Sequence, residues 1–163
     1  MPTRDPTAPP PIVTLRPVCQ ADRAAFFAHE TDLEACAMAV ANPRDPVEFM
    51  ASWEELLRDE ATLSRSILAD GELVGRIDCF LLEGAPHVGY WIDRARWGRG
   101  ISTRALALLI AEEPRRPLHA RVAVTNLGSI RVLERNGFVL TRTVWAEETP
   151  RFPACFEARM RLE

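Results

Sequence analysis

Lysine is absent from the 163-residue sequence, and all twenty basic residues are arginine. A chain without lysine has neither a Walker-type phosphate loop, which ends in lysine, nor a Schiff-base lysine. Cysteine is sparse, and the four cysteines are widely spaced without any C-x-x-C pair. This spacing excludes the common zinc and thioredoxin-like motifs. We therefore expect no bound metal, and reduced thiols in a cytoplasmic protein.

Long apolar runs and strong basic charge are missing as well. No run approaches the roughly 20 apolar residues that a membrane span requires, and the N-terminal residues do not form a signal peptide. The formal net charge is −3, whereas domains that hold a nucleic-acid backbone are usually strongly basic. We expect neither a membrane nor a nucleic-acid partner.

Composition indicates one folded domain behind a proline-rich tail. Residues 1–11 contain five prolines, and proline fixes φ and donates no backbone hydrogen bond. They are predicted to form a disordered tail. Residues 12–163 have the length of a single domain, and the overall content of 47% hydrophobic and 26% charged residues is that of a globular protein.

The order of apolar patterns and turn residues predicts a β-α-α-β-β-β-α-β-α-β-β chain, an α/β (α+β) domain. Asp70-Gly71 lies between two β-prone segments, as in a tight hairpin turn. The predicted strands cover 12–16, 66–69, 73–81, 87–92, 118–124, 138–144 and 156–162, and the predicted helices cover 21–30, 47–59, 102–112 and 129–135.

The segment 97–103, which reads WGRGIST, joins a predicted strand to a predicted helix. Gly98 and Gly100 allow a ligand to approach the backbone closely. The helix that follows presents free N–H groups and the positive end of its dipole, which suits a phosphate. The alternative is a glycine-rich turn beside solvated arginines, and the segment alone does not decide between the two.

Four blocks in order extend this pattern: GYWID at 89–93, WGRGIST at 97–103, N-x-x-S at 126–129 and NGF at 136–138. Together they resemble the GNAT superfamily of acyl-CoA N-acyltransferases, and most of all the Rim-type ribosomal-protein N-acetyltransferases. The resemblance implies a twisted, mixed, mostly antiparallel sheet flanked by helices. It also implies a splayed cleft between the strands near 87–92 and 118–124, in which acetyl-CoA lies as co-substrate.

The same resemblance implies which residues bind the co-substrate. Backbone groups of Tyr90, Trp91 and Ile92 hold the thioester and the pantetheine arm, and Asn126 hydrogen-bonds the pantetheine region. The pyrophosphate is held by six consecutive residues: Gly98, Arg99, Gly100, Ile101, Ser102 and Thr103.

Two catalytic positions depart from the family pattern. Leu133 stands where relatives commonly have a tyrosine acid, and Arg121 stands where some have a glutamate base. Ser129 is the candidate acid for the leaving thiolate, with a helix N-cap as the alternative. His87 is the candidate base, with a surface histidine as the alternative, and Asp78 is the next candidate.

The function implied is an acetyl-CoA-dependent N-acetyltransferase, in which a primary amine attacks the thioester directly. A peptide N-terminus and a small-molecule amine both fit as acceptor, and a homodimer is possible. The alternative is a catalytically inactive acyl-CoA-binding sensor or scaffold. Five acidic residues either attract a cationic amine or are only solvated: Glu30, Asp32, Glu34, Glu147 and Glu148.

Overall fold

The computed structural model describes residues 7–163, which form seven strands and five α-helices. The strands are β1 (Val13–Pro17), β2 (Leu63–Ala69), β3 (Glu72–Leu82), β4 (Ala85–Ile92), β5 (Leu118–Ala123), β6 (Val139–Ala146) and β7 (Cys155–Leu162). The helices are α1 (Arg23–Thr31), α2 (Leu33–Ala39), α3 (Pro46–Arg58), α4 (Ile101–Glu112) and α5 (Leu127–Arg135). Two short 3₁₀ turns cover Gln20–Asp22 and Arg94–Arg96.

All seven strands belong to one sheet with the order β1-β2-β3-β4-β5-β7-β6. Every neighbouring pair is antiparallel except β4 and β5, which are parallel and are paired only at His87 and His119. Beyond this single pair the two strands diverge toward the C-terminal end of β4. The predicted mixed, mostly antiparallel sheet with a splayed cleft is therefore confirmed.

The main core lies between the sheet and the helices α4 and α5. Its fully buried side chains come from β2, β3, β5 and β7 and from one face of α4, where Ala105, Leu106 and Leu109 are inaccessible to solvent. A second, aromatic cluster of Phe26, Phe49 and Trp53 joins α1 to α3. Helix α1 contacts β3 and β4, so helices cover both faces of the sheet near β4.

Local sequence accounts for several element boundaries. Asp70 and Gly71 both have positive φ, 52° and 82°, as the tight turn between β2 and β3 requires. Asp45 accepts hydrogen bonds from the N–H groups of Val47 and Glu48, and Pro46 occupies the first position of α3. Proline is favoured there because that position needs no N–H donor.

Several sequence predictions need correction, among them strand β2, which begins at Leu63, three residues before its predicted start. Helix α2 was not predicted; it begins after Asp32, whose side chain accepts from the N–H of Ala35, and ends at Val40 with φ of 52°. Helix α3 begins at Pro46 rather than after it. Helix α5 begins at Leu127, two residues before its predicted start.

The structure describes only part of the predicted N-terminal tail. Residues 1–6 lie outside the described residues, and residues 7–11 contain no helix or strand. The carbonyl of Pro11 accepts a hydrogen bond of 2.8 Å from Arg104 on α4. Disorder of residues 1–11 and the domain boundary at residue 12 remain predictions. Within residues 7–163, no helix combines the length and apolar character that crossing a membrane requires.

Candidate active site

A cavity of about 450 Å³ opens where β4 and β5 separate. Its walls come from β4, from the first turn of α4, from α5 and from α2. The predicted co-substrate residues that line it are Tyr90, Trp91, Ile92, Gly98, Gly100, Ile101, Ser102, Thr103 and Asn126. Ser129 lines it as well, whereas Arg99 and His87 are not among its lining residues. One cavity thus brings together all but two of the predicted site residues.

The edge of β4 that faces β5 provides backbone hydrogen-bonding groups. The N–H of Asp93 donates to the carbonyl of Val74 on β3 at 2.8 Å. Because the direction of hydrogen bonding alternates along an antiparallel strand, the N–H groups of Tyr90 and Ile92 point away from β3, toward the cavity. The carbonyl of Ile92 accepts from the indole N–H of Trp97 at 3.1 Å, which agrees with this direction. An extended ligand can lie along this edge.

The backbone groups of Trp91 face β3 by the same alternation, and its side chain lies on the α1 side of the sheet. The indole Nε1 of Trp91 donates to the carbonyl of His29 at the end of α1, 2.7 Å away. Trp91 also lines the cavity. A role of Trp91 in binding the co-substrate stays a prediction.

The first turn of α4 has the geometry of an anion site. Gly100 is the N-cap with φ of 71°, and no side chain caps the helix. Gly98 also has positive φ, 75°. Both backbone conformations favour glycine, which leaves the N–H groups at the start of α4 accessible to a ligand. The positive end of the helix dipole adds to the attraction for a phosphate.

The charges of the lining residues favour an anionic ligand. Among residues 7–163, three arginines line the cavity, Arg96, Arg131 and Arg135, and no aspartate or glutamate does. Arg96 forms an ion pair with Glu72. Within residues 7–163, no group of three or more His, Cys, Asp or Glu side chains is placed to hold a metal ion.

Two hydrogen bonds involve the backbone of Ser129 where α5 begins. The Oδ1 atom of Asn126 accepts a hydrogen bond from the N–H of Ser129 at 3.2 Å, so Asn126 is the N-cap of α5. The alternative that Ser129 caps this helix is therefore wrong. The hydroxyl of Tyr90 donates to the carbonyl of Ser129 at 3.2 Å. Burial raises the pKa of Tyr90 to about 12, so its phenol keeps its proton at neutral pH.

A protein-family profile described as an acetyltransferase (GNAT) domain matches residues 13–139. The chain belongs to the GNAT acetyltransferase family. The predicted superfamily is thereby confirmed, and the acetyltransferase domain covers most of the chain.

Individual relatives extend this comparison. A probable N-acetyltransferase YjcK of Bacillus subtilis is 37% identical over 78 residues, which cover 43% of this chain and 43% of that protein. The chain thus matches less than half the length of this curated relative. The solved structure of spermidine N-acetyltransferase from Vibrio cholerae, in complex with CoA and spermine, is 16% identical, with a TM-score of 0.76 over 92% of this chain and 94% of that chain.

Rim-type enzymes are among the similar solved structures, but their structural similarity to this chain is no greater than that of other acetyltransferases. RimL, a ribosomal L7/L12 alpha-N-protein acetyltransferase in complex with coenzyme A, is 19% identical, with a TM-score of 0.74 over 96% of this chain and 94% of that chain. At such low identity the likeness concerns the fold. A particular closeness to the Rim-type enzymes stays a prediction.

In this GNAT domain His87 lies at the closed end of the cleft. It is buried, and its Nδ1 atom is 2.9 Å from the carbonyl oxygen of Ala85. Its ring stacks on that of His119 at a centroid distance of 5.3 Å and on Phe80 at 6.3 Å. Burial lowers the pKa of His87, which keeps the imidazole neutral. The structure does not bring His87 and Ser129 into one cavity.

The other residues considered for proton transfer have structural partners. Asp78 is hydrogen-bonded by Ser64 and by the Nε of Arg76 at 3.0 Å, and burial raises its pKa. Leu133 is a buried core side chain. Arg121 forms an ion pair of 2.6 Å with Glu83. Position 121 therefore supplies no base and position 133 no acid.

Two of the acidic residues predicted to attract a cationic amine share one arginine partner. Arg94 pairs with Asp32 at 3.0 Å and with Glu34 at 3.0 Å. Its guanidinium and the N–H of Ala35 lower the pKa of Asp32, with the backbone hydrogen bond as the larger cause. These two carboxylates hold α2 against the turn after β4, and one arginine offsets only one of their two negative charges.

Sequence reasoning missed a cluster on the α1 side of β4. Glu30 is buried and pairs with Arg44 at 3.4 Å and with Arg76 at 3.6 Å. Within the described residues, the buried Nδ1 of the neighbouring His29 has no hydrogen-bond partner, and burial lowers its pKa. The only sequence signal for this cluster was an adjacent His-Glu pair at the end of a predicted helix.

Proposed function

We propose that the protein is an acetyl-CoA-dependent N-acetyltransferase that transfers an acetyl group to a primary amine by direct attack. The observation that carries this proposal is the cavity in which an unpaired strand edge leads to an uncapped helix N-terminus. The strand edge suits the amide-containing arm of CoA, and the helix N-terminus suits its diphosphate. The absence of carboxylates from the lining residues agrees with an anionic ligand.

Each predicted binding residue has a task in this arrangement. The backbone groups of Tyr90 and Ile92 hydrogen-bond the pantetheine arm, and the Trp91 indole closes the α1 side. Gly98, Gly100, Ile101, Ser102 and Thr103 surround the diphosphate, and Arg99, which is exposed, contributes through its backbone. The amide nitrogen of Asn126 is available to the ligand, because its oxygen already caps α5.

The chemistry requires a stabilised oxygen anion and two proton transfers. Acetyl-CoA supplies the acetyl group as an activated thioester; the amine nitrogen forms a bond to the carbonyl carbon and the C–S bond breaks. An N–H group of Tyr90 or Ile92 stabilises the negative charge that develops on the carbonyl oxygen, a contribution of several kcal/mol in many enzymes. The Ser129 hydroxyl donates a proton to the leaving thiolate and takes a proton back from solvent.

The proton of the attacking amine needs an acceptor. We assign the role of base to His87, whose imidazole is neutral because burial lowers its pKa. His87 does not line the cavity, so water molecules must relay the proton to it. The Tyr90 phenol is protonated and donates a hydrogen bond to the Ser129 carbonyl. It thereby helps to position Ser129, the proton donor for the thiolate.

The acceptor is a primary amine, either of a small molecule or of a peptide N-terminus. The test is acetyl-CoA turnover with polyamines, aminoglycosides and N-terminal peptides, together with calorimetric titration of CoA. We expect CoA binding and turnover with at least one amine class. CoA binding without turnover of any amine would favour an acyl-CoA-binding sensor, and the absence of CoA binding would contradict the proposal.

A further inference from the structure

The wall of the cavity formed by α5 carries two arginines with no acidic partner. Arg131 and Arg135 both line the cavity and are exposed. Within residues 7–163, neither guanidinium forms an ion pair or a hydrogen bond. The nearby arginines 94 and 96, by contrast, are paired with carboxylates. This wall therefore has positive charge that the protein itself leaves uncompensated.

The two arginines are four residues apart in the same helix, so their side chains lie on the same face. The end of this helix is fixed beside the start of α4, since the Asn136 Nδ2 donates to the carbonyl of Thr103 at 3.1 Å. Arg135 directly precedes Asn136. Arg135 therefore lies at the end of α5 that is joined to α4, and it lines the same cavity as the first turn of α4.

CoA carries two separate anionic groups, the diphosphate and the phosphomonoester at the 3′-position of its ribose. The N-terminus of one helix provides the equivalent of about half a positive charge, which suits the diphosphate but leaves the second group without a partner. We propose that Arg131 and Arg135 bind the 3′-phosphate, so that the protein selects CoA over dephospho-CoA. This inference rests on the proposed function, because it concerns the same cavity.

Arginine suits this task because its planar guanidinium donates two parallel hydrogen bonds to a phosphate. If the two arginines are only solvated on the helix surface, the 3′-phosphate adds nothing to the affinity of the ligand. The two possibilities differ in one measurable quantity, the ratio of the affinities for CoA and for dephospho-CoA. The two ligands differ only in the 3′-phosphate, so the ratio reports on this group alone.

The experiment measures the Kd of both ligands by calorimetry for the wild type and for the double variant Arg131→Gln/Arg135→Gln. We expect the wild type to bind CoA at least about tenfold more tightly than dephospho-CoA. The double variant should lower this ratio to near one by weakening CoA, with the affinity for dephospho-CoA unchanged. A control variant is Arg142→Gln, because Arg142 is exposed on β6, does not line the cavity and has no acidic partner among the described residues.

The outcomes separate this inference from the proposed function. Equal affinity of the wild type for the two ligands would overturn the 3′-phosphate subsite while leaving CoA binding intact. Equal weakening of both ligands in the double variant would also overturn it, since the arginines would then act on the ligand's total charge or on the fold. A wild type that binds neither ligand would contradict the proposed function itself. Thermal unfolding of each variant without ligand verifies that it is folded.

Discussion

Asn126 and Ser129 are joined by a hydrogen bond of 3.2 Å from the backbone N–H of Ser129 to the Oδ1 of Asn126. This bond makes Asn126 the cap of α5 and leaves the Ser129 hydroxyl free of that task. Among the described residues no hydrogen bond holds this hydroxyl, and Ser129 lines the cavity. Of the two roles predicted for Ser129, capping thus belongs to Asn126, and proton donation by Ser129 stays a prediction.

The first prediction tests Ser129 as the proton donor and Asn126 as the helix cap. Ser129→Ala should lower kcat by about 100-fold, the lower end of the range for a positioned proton donor, because a thiolate is a good leaving group. Its thermal stability and CoA affinity should hardly change. Asn126→Ala is the matched variant and should cost about 0.5–2 kcal/mol of stability through the lost cap. Undiminished turnover of the Ser129 variant would mean that solvent protonates the thiolate.

The second prediction concerns the glycine at the start of α4. Gly100→Glu should abolish the rise in melting temperature that CoA causes by mass action, because a carboxylate would stand where the diphosphate binds. Gly71→Glu is the control. Gly71 also has positive φ, and a Cβ there meets no atom within 4 Å, in the hairpin turn between β2 and β3. Both variants carry the backbone strain, so retained CoA binding by Gly100→Glu would show that the helix N-terminus is not the diphosphate site.

The third prediction uses the single tyrosine of the sequence. The ultraviolet absorbance of tyrosinate reports on Tyr90 alone, and its midpoint should lie near pH 12 rather than at the ordinary value of 10. Because the folded state holds this proton more tightly than the unfolded state, stability should be unaffected below pH 10 and fall between pH 10 and 12. The loss should be at most about 3 kcal/mol. Tyr90→Phe should lack this part of the alkaline decline, and a midpoint near 10 would contradict the burial of the phenol.

The fourth prediction tests His87 as the base. His87→Gln should remove the acidic limb of the pH profile of kcat, which should lie below the ordinary histidine pKa because burial lowers that of His87. His119→Gln is the matched control, since His119 stacks on His87 from β5. An unchanged profile in the His87 variant, at undiminished kcat, would show that the amine loses its proton to solvent without this histidine.

The sequence predicted what depends on local patterns. Paired glycines between a strand and a helix indicated the positive-φ turn at Gly98 and Gly100, where the anion site stays a prediction, and Asp70-Gly71 indicated the hairpin turn. The order of the blocks predicted the family and, through it, the cleft between β4 and β5. These features follow from backbone conformations that only a few residue types adopt readily, so they are visible in a single sequence.

Features that depend on contacts between distant residues were not predicted. The ion pairs of Arg94 with Asp32 and Glu34 join segments about 60 residues apart, so these carboxylates looked available for an amine. Helix α2 has Val40 as its C-cap, a β-branched residue in the left-handed region, whereas sequence patterns lead one to expect glycine in that conformation. His87 was placed in the correct strand, but its enclosure by His119 and Phe80 depends on the sheet and not on the strand.

Because β4 and β5 pair only at His87 and His119, the sheet has an open edge in its interior as well as at its two ends. An open strand edge can pair with a strand of another chain. This edge, however, lies between helices, where another protein chain cannot easily enter. A ligand with amides along its length can occupy the position of the missing strand. The amides of Tyr90 and Ile92 should then exchange with solvent hydrogen rapidly in the free protein and slowly once CoA completes the sheet.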